Sequence, residues 1–528
     1  MDSGRRAAVC PRLRGVKRKI VAVLATALLG LSGCATGAVY RGLGGSTSHP
    51  QPSPVGPSPT QTSDAPSGLQ KFYDQEADWS ECGKFECAEV EVPLNYEEPD
   101  AATIKIFMKR RPASGAKLGS LFLNPGGPGG SGADMLASLD AYLSQEIQDA
   151  YDVIGFDPRG VGKSSPVKCL DDAELGRLMD ASYSGTPEEQ QAAREKDLKI
   201  LTDGCQKRSG EILPFVGTEQ AARDMDVMRA VVGDPLLNYL GFSYGTFLGA
   251  QYRELFPENT GRMILDGAVD SSLGAARMSA EQSDGFEVEL RRFVEYCQSR
   301  ENCPLEGSVD DGLTQIRAWI DEAKENPFEG KGDRKVNDSI LINGLITTMY
   351  DDTYWNYTIS AFREMKDHRD ANLFLTLSDL TNGRNSDGSF ENNMFEANIA
   401  INCADYPAAT QEEIDAAIDH TKDNTVLGTT FTESDTCKFW PASPDTVPGL
   451  FTGKGGAPVV VVGTKYDPAT PLAWAESMAD ALDSAVLVTY EGDGHTAYSR
   501  GGKCVQEPLD NYLLTGEVPR DGLTCPKV

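Results

Sequence analysis

Eight short apolar runs, each ending near glycine, proline, asparagine or aspartate, set the architecture open to this chain. The runs are A-E-V-E-V-P-L (88–94), T-I-K-I-F-M-K (103–109), G-S-L-F-L-N-P-G (119–126), Y-D-V-I-G-F-D (151–157), N-Y-L-G-F-S (238–243), R-M-I-L-D-G (262–267), A-P-V-V-V-V-G-T (457–464) and A-V-L-V-T-Y-E-G (485–492). The first two alternate apolar and polar residues, as half-exposed strands do. The later runs are continuously apolar, which is typical of strands covered on both faces of a sheet.

Helical stretches lie between several of these runs. One of them, T-E-Q-A-A-R-D-M-D-V-M-R-A-V-V (218–232), begins at a threonine, which is favoured at helix starts, and carries a broad apolar face. Alternation of strands and helices predicts an α/β fold, with a mostly parallel eight-stranded sheet covered by helices on both sides. Between about residues 272 and 450 acidic, helical-looking stretches replace this alternation. An insertion of this length between two strands typically forms a lid or cap.

The N-terminus has the pattern of a bacterial export signal. Seven basic residues lie between residues 5 and 19, and the apolar run I-V-A-V-L-A-T-A-L-L-G-L (20–31) follows them. This run is too short to span a bilayer but suits the apolar region of a signal peptide. It ends in L-S-G-C (31–34), which resembles the lipobox whose cysteine, here Cys34, is lipidated and becomes the mature N-terminus. The alternative is an ordinary secretory signal with a chance cysteine.

The expected mature chain is held by its lipid on the outer face of the bacterial cytoplasmic membrane. Residues 34–70 are rich in Ser, Pro, Gly and Thr, a composition that predicts an extended tether. Cleavage after residue 33 removes seven basic residues and one acidic residue, which changes the formal net charge from −30 to −36. A surface this acidic repels phosphate backbones, so nucleic acid is excluded as a partner.

Ten cysteines lie outside the signal and the lipobox, and an even number in an exported chain indicates disulfides. They are Cys82, Cys87, Cys169, Cys205, Cys297, Cys303, Cys403, Cys437, Cys504 and Cys525. The sequence does not fix their pairing, and we favour sequential neighbours, which close five short loops. None of the spacings matches a zinc site, and we expect no metal and no organic cofactor.

The stretch G-F-S-Y-G (241–245) places Ser243 between two glycines, after a predicted strand and before a helical run. The motif alone is common and also fits a small residue in a tight turn. In this context it is typical of a nucleophile elbow, in which the serine stands at the tip of a sharp turn. Ser243 is therefore the candidate nucleophile.

A serine nucleophile needs a base, and the chain has four histidines. His49 lies in the tether, and His368 and His420 lie on polar stretches of the insertion. His495 follows the last predicted strand, in Y-E-G-D-G-H-T. This position fits a base when nucleophile, acid and histidine occur in that order along the chain.

The acid that orients such a histidine is expected at the end of the preceding strand. The stretch V-V-V-V-G-T-K-Y-D-P-A-T-P delivers Asp467 there. Asp266 and Asp270, in L-D-G-A-V-D after an earlier strand, are its rivals. Asp493 is close to His495 along the chain but fits a turn better.

Stabilisation of a developing oxyanion requires backbone N–H donors. The glycine-rich stretch N-P-G-G-P-G-G-S-G (124–132) follows the third predicted strand, and its bare backbone can approach a substrate closely. We expect the amides of Gly127 and Tyr244 to form the oxyanion hole. The stretch G-V-G-K-S-S (160–165) lacks the glycine spacing of a phosphate-binding loop and fits a bracing role better.

Six motifs, taken in order, resemble the secreted tripeptidyl aminopeptidases, which are serine α/β-hydrolases related to the proline iminopeptidases. The motifs are G-G-P-G-G-S-G, D-P-R-G-V-G-K-S, G-F-S-Y-G-T, I-L-D-G-A-V-D, Y-D-P-A-T-P and G-D-G-H-T. The resemblance covers most of residues 75–525. It implies the α/β-hydrolase fold, a Ser243–Asp467–His495 triad under a helical cap, and release of short peptides from free N-termini of peptides or proteins.

The expected organisation is a signal at 1–33, a tether at 34–70, hydrolase core at 71–271 and 451–528, and a mainly helical cap at 272–450. An exopeptidase must hold the ammonium group of its substrate, and a carboxylate in the cap is the physical means. Asp405, in I-N-C-A-D-Y (401–406), is the candidate, and a solvated loop acid is the alternative.

Two other functions fit parts of the same pattern. An esterase or lipase would use the same triad, because both reactions pass through an acyl-enzyme. A non-catalytic binding lipoprotein would share the anchor and the tether, but it has no need for Ser243, Asp467 and His495 at three strand ends. Cleavage of a short-chain ester without cleavage of a tripeptide amide would separate the esterase from the exopeptidase, and any cleavage excludes the binding lipoprotein.

Overall fold

The computed structural model describes residues 65–433, 435–442 and 449–528. The predicted signal, Cys34 and most of the predicted tether lie outside the described residues. Within those ranges, none of the helices combines the length and the apolar character needed to cross a membrane.

A ten-stranded sheet, in the order β1-β2-β3-β5-β4-β6-β7-β10-β11-β12, forms the centre of the molecule. Its strands are β1 (Ser80–Cys82), β2 (Phe85–Pro93), β3 (Thr103–Arg111), β4 (Gly119–Asn124), β5 (Tyr151–Phe156), β6 (Leu237–Phe242), β7 (Thr260–Asp266), β10 (Val459–Tyr466), β11 (Ala485–Asp493) and β12 (Leu523–Pro526), and β8 (Phe328–Glu329) pairs with β9 (Lys335–Val336) in a separate hairpin. The strands from β5 to β12 along this order pair in parallel, and β1, β2 and β3 are antiparallel. The predicted mostly parallel sheet is confirmed. All eight predicted strands are present, and the short edge strands β1 and β12 bring the total to ten.

The α-helices connect these strands and build the insertion. They are α1 (Gln70–Tyr73), α2 (Gly132–Met135), α3 (Gln145–Ala150), α4 (Asp172–Met179), α5 (Pro187–Ser209), α6 (Thr218–Val231), α7 (Tyr244–Leu255), α8 (Ala275–Gln298), α9 (Val309–Glu325), α10 (Asp338–Thr347), α11 (Trp355–His368), α12 (Asn372–Thr381), α13 (Met394–Asp405), α14 (Gln411–Thr421), α15 (Leu472–Ala481) and α16 (Gly502–Thr515).

The continuous apolar runs follow from two cores, one on each face of the sheet. In β10, Val459 and Val461 belong to one core, and Val460 and Val462 belong to the other. All four side chains are completely buried. Successive residues of a strand point to opposite faces, so a central strand covered on both sides needs an apolar residue at every position.

The segment between β7 and β10, which we call the cap, has an apolar core of its own. Its described residues form seven α-helices, α8 to α14. Leu290, Phe293, Leu313, Phe362 and Phe374 are buried in its core. A separate core gives this segment a packed interior independent of the two cores on the sheet.

Five disulfides join sequential cysteine neighbours, and the predicted pairing is confirmed. The pairs are Cys82–Cys87, Cys169–Cys205, Cys297–Cys303, Cys403–Cys437 and Cys504–Cys525. Cys82 lies in β1 and Cys525 lies in β12, so two of the disulfides fix the two edges of the sheet.

Removal of the Cys169–Cys205 bridge is expected to destabilise the fold more than removal of Cys82–Cys87. The first closes a loop with a sequence separation of 36, and the second a loop with a separation of 5. Loop-closure entropy predicts costs of roughly 4 and roughly 2 kcal/mol, respectively. Urea unfolding of the two double-alanine variants measures the difference. Equal losses of stability would contradict the loop-length argument.

Candidate active site

Ser243 stands at a sharp turn between β6 and α7. Its backbone has φ 56° and ψ −126°, a conformation that non-glycine residues rarely adopt. The N–H of Ser243 donates to the carbonyl of Asp266 at 2.9 Å, which ties the turn to the end of the neighbouring strand β7. This strained strand–turn–helix geometry is the one expected of a nucleophile elbow.

The two glycines of G-F-S-Y-G are required by close packing around the turn. A Cβ atom on Gly241 would lie 2.5 Å from the carbonyl oxygen of Gly245. A Cβ atom on Gly245 would lie 2.9 Å from Oδ1 of Asn124, at the end of β4. Neither position accepts a side chain unless the backbone shifts, and so the motif follows from the geometry of the turn.

Asp467 and His495 form a buried pair beyond the ends of β10 and β11. Nδ1 of His495 donates to both carboxylate oxygens of Asp467, at 2.8 and 2.9 Å. Asp467 is 3% exposed and His495 is 7% exposed. A buried carboxylate in this position fixes the ring orientation and the tautomer of the imidazole.

Backbone amides hold the Asp467 carboxylate in place. The amides of Ala469 and Thr470 donate to Oδ1 at 3.0 and 2.8 Å, and the amide of Thr496 donates to Oδ2 at 3.1 Å. The Thr470 hydroxyl lies 3.3 Å from Nδ1 of His495. Sequence reasoning did not select Thr470, although it lies in the same Y-D-P-A-T-P motif as the acid.

The rival acids have other partners. Asp270 binds the amide and the hydroxyl of Ser272. Asp493 pairs with Arg292 and Lys527, and these charges outweigh the effect of burial and lower the pKa of Asp493. Among the described acidic residues considered as partners of the imidazole, Asp467 is the one that contacts it.

Asp266 binds the loop that carries His495, which we call the histidine loop. Its completely buried carboxylate accepts hydrogen bonds from the amides of Ala497 and Tyr498, at 2.7 to 3.0 Å. Burial raises the pKa of Asp266 to about 6, although these two amides act in the opposite direction. Asp266 therefore connects the Ser243 turn, whose N–H its carbonyl accepts, to the segment that follows His495.

The raised pKa of Asp266 predicts a specific pH dependence of stability. The folded-state pKa of about 6 lies above the unfolded value, so protonated Asp266 favours the folded chain. This contribution is complete below about pH 4 and is lost as the pH rises through 6, by about 3 kcal/mol. Unfolding free energies of wild type and Asp266→Asn, compared at pH 4 and pH 6.5, isolate it. Parallel profiles for the two proteins would contradict the assignment.

The other ring nitrogen of His495 is free to act as a base. Nε2 is buried, and no atom of the described residues hydrogen-bonds to it. A Cβ atom added to Gly267, the residue after Asp266, would lie 3.1 Å from Cε1 of His495. Because the Asp266 carbonyl also binds the Ser243 turn, the end of β7 adjoins both the imidazole and the segment that carries the serine.

The cap contacts the histidine directly. The N–H of His495 donates to the carbonyl of Tyr350 at 2.9 Å, and the two rings pack edge to face with centroids 5.4 Å apart. Tyr350 precedes α11 and belongs to the cap, and sequence reasoning gave it no role at the site.

Arg500 also binds the loop that carries His495. Its buried guanidinium donates to the carbonyls of Asp493, His495 and Thr496 at 2.9 to 3.3 Å. It also pairs with Asp352 of the cap at 3.2 Å. The loop that carries the histidine is thus held by the cap and by the hydrolase core together.

The glycine-rich loop lies against the Ser243 turn, as the predicted oxyanion hole requires. A Cβ atom on Gly126 would lie 2.9 Å from Cβ of Ser243 and 3.1 Å from the amide nitrogen of Tyr244. Gly127, the predicted donor, is exposed and follows directly. Tyr244 is the first residue of α7, where the amides of a helix have no partner within the helix and can point at an anion.

Asp405, the predicted ammonium ligand, binds the protein's own donors. Its carboxylate is 1% exposed and accepts hydrogen bonds from the amide and the hydroxyl of Thr218, both at 2.6 Å. The Thr218 hydroxyl also contacts the Tyr244 hydroxyl. Burial and the Asp405 charge raise the pKa of Tyr244, so its hydroxyl stays protonated. Asp405 thus lies behind a predicted oxyanion residue, and its carboxylate does not face an open cleft.

Within the described part of the chain, no group of three or more His, Cys, Asp or Glu side chains is arranged to hold a metal ion. The groups in the site are a hydroxyl, an imidazole–carboxylate pair and backbone amides. Together they can carry acyl transfer through a serine nucleophile.

Comparisons with known proteins also indicate a serine hydrolase. Residues 423–525 match the family described as TAP-like protein, and residues 119–309 match the alpha/beta hydrolase fold. Serine protease Hip1 of Mycobacterium tuberculosis (strain ATCC 25618 / H37Rv) is 33% identical over 456 residues, which cover 83% of this chain and 87% of Hip1. Carboxylesterase B of the same strain is 34% identical over 463 residues, which cover 85% and 88% of the two chains.

A third relative is the tripeptidyl aminopeptidase of Streptomyces lividans. It is 30% identical over 468 residues, which cover 86% of each chain. Of the two family matches, residues 119–309 include Ser243, and residues 423–525 include Asp467 and His495. The chain belongs to the family of α/β-hydrolases that includes tripeptidyl aminopeptidase and serine protease Hip1.

Proposed function

We propose that the protein is an extracytoplasmic serine exopeptidase that releases short peptides, tripeptides first among them, from free N-termini. The observation that carries this proposal is the buried Asp467–His495 pair, whose Nε2 is free and whose loop shares Asp266 as a partner with the strained Ser243 turn. The relatives named tripeptidyl aminopeptidase and serine protease support peptide bonds as the target.

The proposed reaction begins with proton transfer from the Ser243 hydroxyl to Nε2 of His495. The serine oxygen attacks the peptide carbonyl, and the amides of Gly127 and Tyr244 bind the developing oxyanion. The Asp467 carboxylate stabilises the imidazolium. His495 then gives its proton to the leaving amine, and an acyl-enzyme on Ser243 remains. Water, deprotonated by His495, releases the acyl group as a peptide with a new C-terminus.

The five disulfides support a location outside the cytoplasm, where such bonds persist. The lipobox at residues 31–34 supports a lipid anchor on Cys34. Cys34→Ala should prevent lipid attachment and shift the protein from the membrane fraction to the medium. Unchanged membrane retention would argue against the anchor.

Two coumarin amides of one tripeptide, with a free and with an acetylated N-terminus, test the peptidase function. The full-length protein, kept soluble in mild detergent, should cleave the free substrate and leave the acetylated one nearly intact. Comparable cleavage of both would point to an endopeptidase or a broad hydrolase.

An esterase is the second candidate, because the relative named carboxylesterase B matches the chain at 34% identity. A short-chain nitrophenyl ester supplies the test in the same assay. Cleavage of the ester without cleavage of either peptide would replace the peptidase proposal with the esterase. Ser243→Ala is the blank in both assays.

A further inference from the structure

A cavity of about 220 Å³ lies between the start of α8, the helix α13 and the residues 431–432 and 435–437. Its walls combine apolar side chains, such as Met278 and Phe431, with the amide side chains of Asn398 and Asn402. A peptide needs this combination, because apolar walls take up side chains and amide groups bind the backbone.

Residues in the cavity walls contact two of the loops around the candidate active site. Asn398 donates to the carbonyl of Pro128 in the glycine-rich loop at 3.0 Å. Gln282 donates to the carbonyl of Ala469, two residues after Asp467, at 2.8 Å. The cavity walls are therefore joined to the glycine-rich loop and to the loop that carries Asp467.

A third wall residue connects the cavity to the helix that begins after the nucleophile. The Tyr406 ring stacks on Phe247 of α7, with centroids 6.2 Å apart. The glycine loop, the acid loop and the nucleophile helix thus each contribute a contact to the walls of one cavity.

Asp435 is the only residue with a formal charge among the described residues that line this cavity. Its carboxylate is held by the amides of Ala409 and Cys437, at 3.1 and 2.9 Å. The Cys403–Cys437 disulfide, whose two cysteines also line the cavity, fixes the segment to α13. The carboxylate is therefore preorganised, and each oxygen keeps a lone pair for a further donor.

Burial raises the pKa of Asp435 above its usual value, against the lowering effect of its backbone donors. Lys438, whose charge also lowers the pKa of Asp435, pairs with Glu195 at 2.6 Å. A negative charge in a half-buried cavity is stabilised by a positive ligand, and an ammonium group supplies both the charge and the N–H donors.

We propose that this cavity receives the amino-terminal residue of the peptide substrate and that Asp435 binds its ammonium group. The proposal rests on the peptidase function proposed above and gives Asp435 the role that the sequence suggested for Asp405. A carboxylate at a fixed distance from Ser243 also sets how many residues are released, because the ammonium group and the scissile carbonyl must both reach their sites.

Asp435→Asn tests the role of the charge in the full-length protein. For the free tripeptidyl substrate, kcat/KM should fall about 10- to 100-fold, mainly through KM, because a charge-assisted hydrogen bond is lost. Any cleavage of the acetylated substrate should stay within about twofold of wild type. If Asp435 had a merely structural role, the substitution would lower kcat/KM for both substrates together. That result would overturn the proposal.

Glu412→Gln is the matched control. Glu412 is an exposed carboxylate at the start of α14, close to the cavity but not part of its walls. The Glu412→Gln variant loses the same charge as Asp435→Asn. Its kcat/KM for the free substrate should remain within about twofold of the wild-type value. A loss equal to that of Asp435→Asn would mean that a general field, and not a specific contact, selects the ammonium group.

A second measurement needs no variant that must fold. Two blocked tripeptides, one N-succinyl and one N-succinamoyl, have nearly the same size and differ in charge. As competitive inhibitors of the wild-type protein, the succinyl peptide should bind about tenfold more weakly than the succinamoyl peptide, because its carboxylate faces Asp435. Equal inhibition constants would overturn the proposal. In Asp435→Lys the order should reverse.

The two proposals fail in different ways. If wild type cleaves no peptide amide, the peptidase function itself is wrong. If wild type cleaves the free substrate and Asp435→Asn keeps the same KM and the same preference, the peptidase function stands and only the assignment of Asp435 is lost. A series of free di-, tri- and tetrapeptidyl amides then measures the length that the cavity selects.

Discussion

Replacement of Ser243 by alanine is expected to lower kcat for the free tripeptidyl amide by about 10⁵-fold or more. In the proposed reaction the hydroxyl oxygen attacks the carbonyl, and without it the oxyanion hole and the bound substrate leave only a residual rate. Single-turnover and steady-state rates measure the loss, and KM should change little. Substantial remaining activity would exclude Ser243 as the nucleophile.

Ser165→Ala is the matched control for this result. Ser165 also has a positive φ, 50°, and lies in a loop that carries no proposed catalytic group. Both substitutions remove one hydroxyl from a strained backbone position. Full activity of Ser165→Ala, together with unchanged melting of both variants, would show that the effect of Ser243→Ala is chemical.

Asp467→Asn is expected to lower kcat by about 10⁴-fold. The asparagine amide would place a donor opposite Nδ1 of His495, and the imidazole would then carry its proton on Nε2. In that tautomer the ring cannot accept the proton of Ser243. Substrate binding does not use Asp467, so KM for the free tripeptide should stay close to that of wild type.

The rival acid supplies the control for this prediction. Asp270 is buried near the same edge of the sheet, but it binds Ser272 and not the imidazole. Asp270→Asn should leave kcat within about threefold of wild type. A larger loss of kcat in Asp270→Asn than in Asp467→Asn would show that Asp467 is not the acid that orients the imidazole.

The sheet could be read from the sequence because burial on both faces leaves a strong pattern. In β10 every valine meets one of two cores, and the run ends where the strand meets the acid loop. The edge strands β1 and β12 are only three and four residues long and have no such pattern. Their cysteines were the available signal, because Cys82 and Cys525 fasten both edges by disulfides.

The candidate site could be read only where it follows strand ends. The residues of the proposed triad follow the carboxyl ends of three strands, Ser243 and Asp467 directly and His495 after one intervening residue. The carboxyl ends of parallel strands lie on the same side of a sheet. Asp405 contacts Thr218 across 187 positions of sequence, and Tyr350 contacts His495 across 145. Such contacts depend on how the cap packs on the core, and no local pattern encodes that packing. For the same reason, no local pattern in the sequence indicates the cavity that we propose as the ammonium site.

The bond between the N–H of His495 and the carbonyl of Tyr350 has a consequence for chimeric enzymes. A cap that only covered the site could be exchanged between relatives to transfer substrate choice. Here the cap supplies one of the hydrogen bonds that position His495. A productive crossover must therefore keep the segment around Tyr350 with the parental histidine loop, and recombination at β7 and β10 alone would transfer specificity at the expense of turnover.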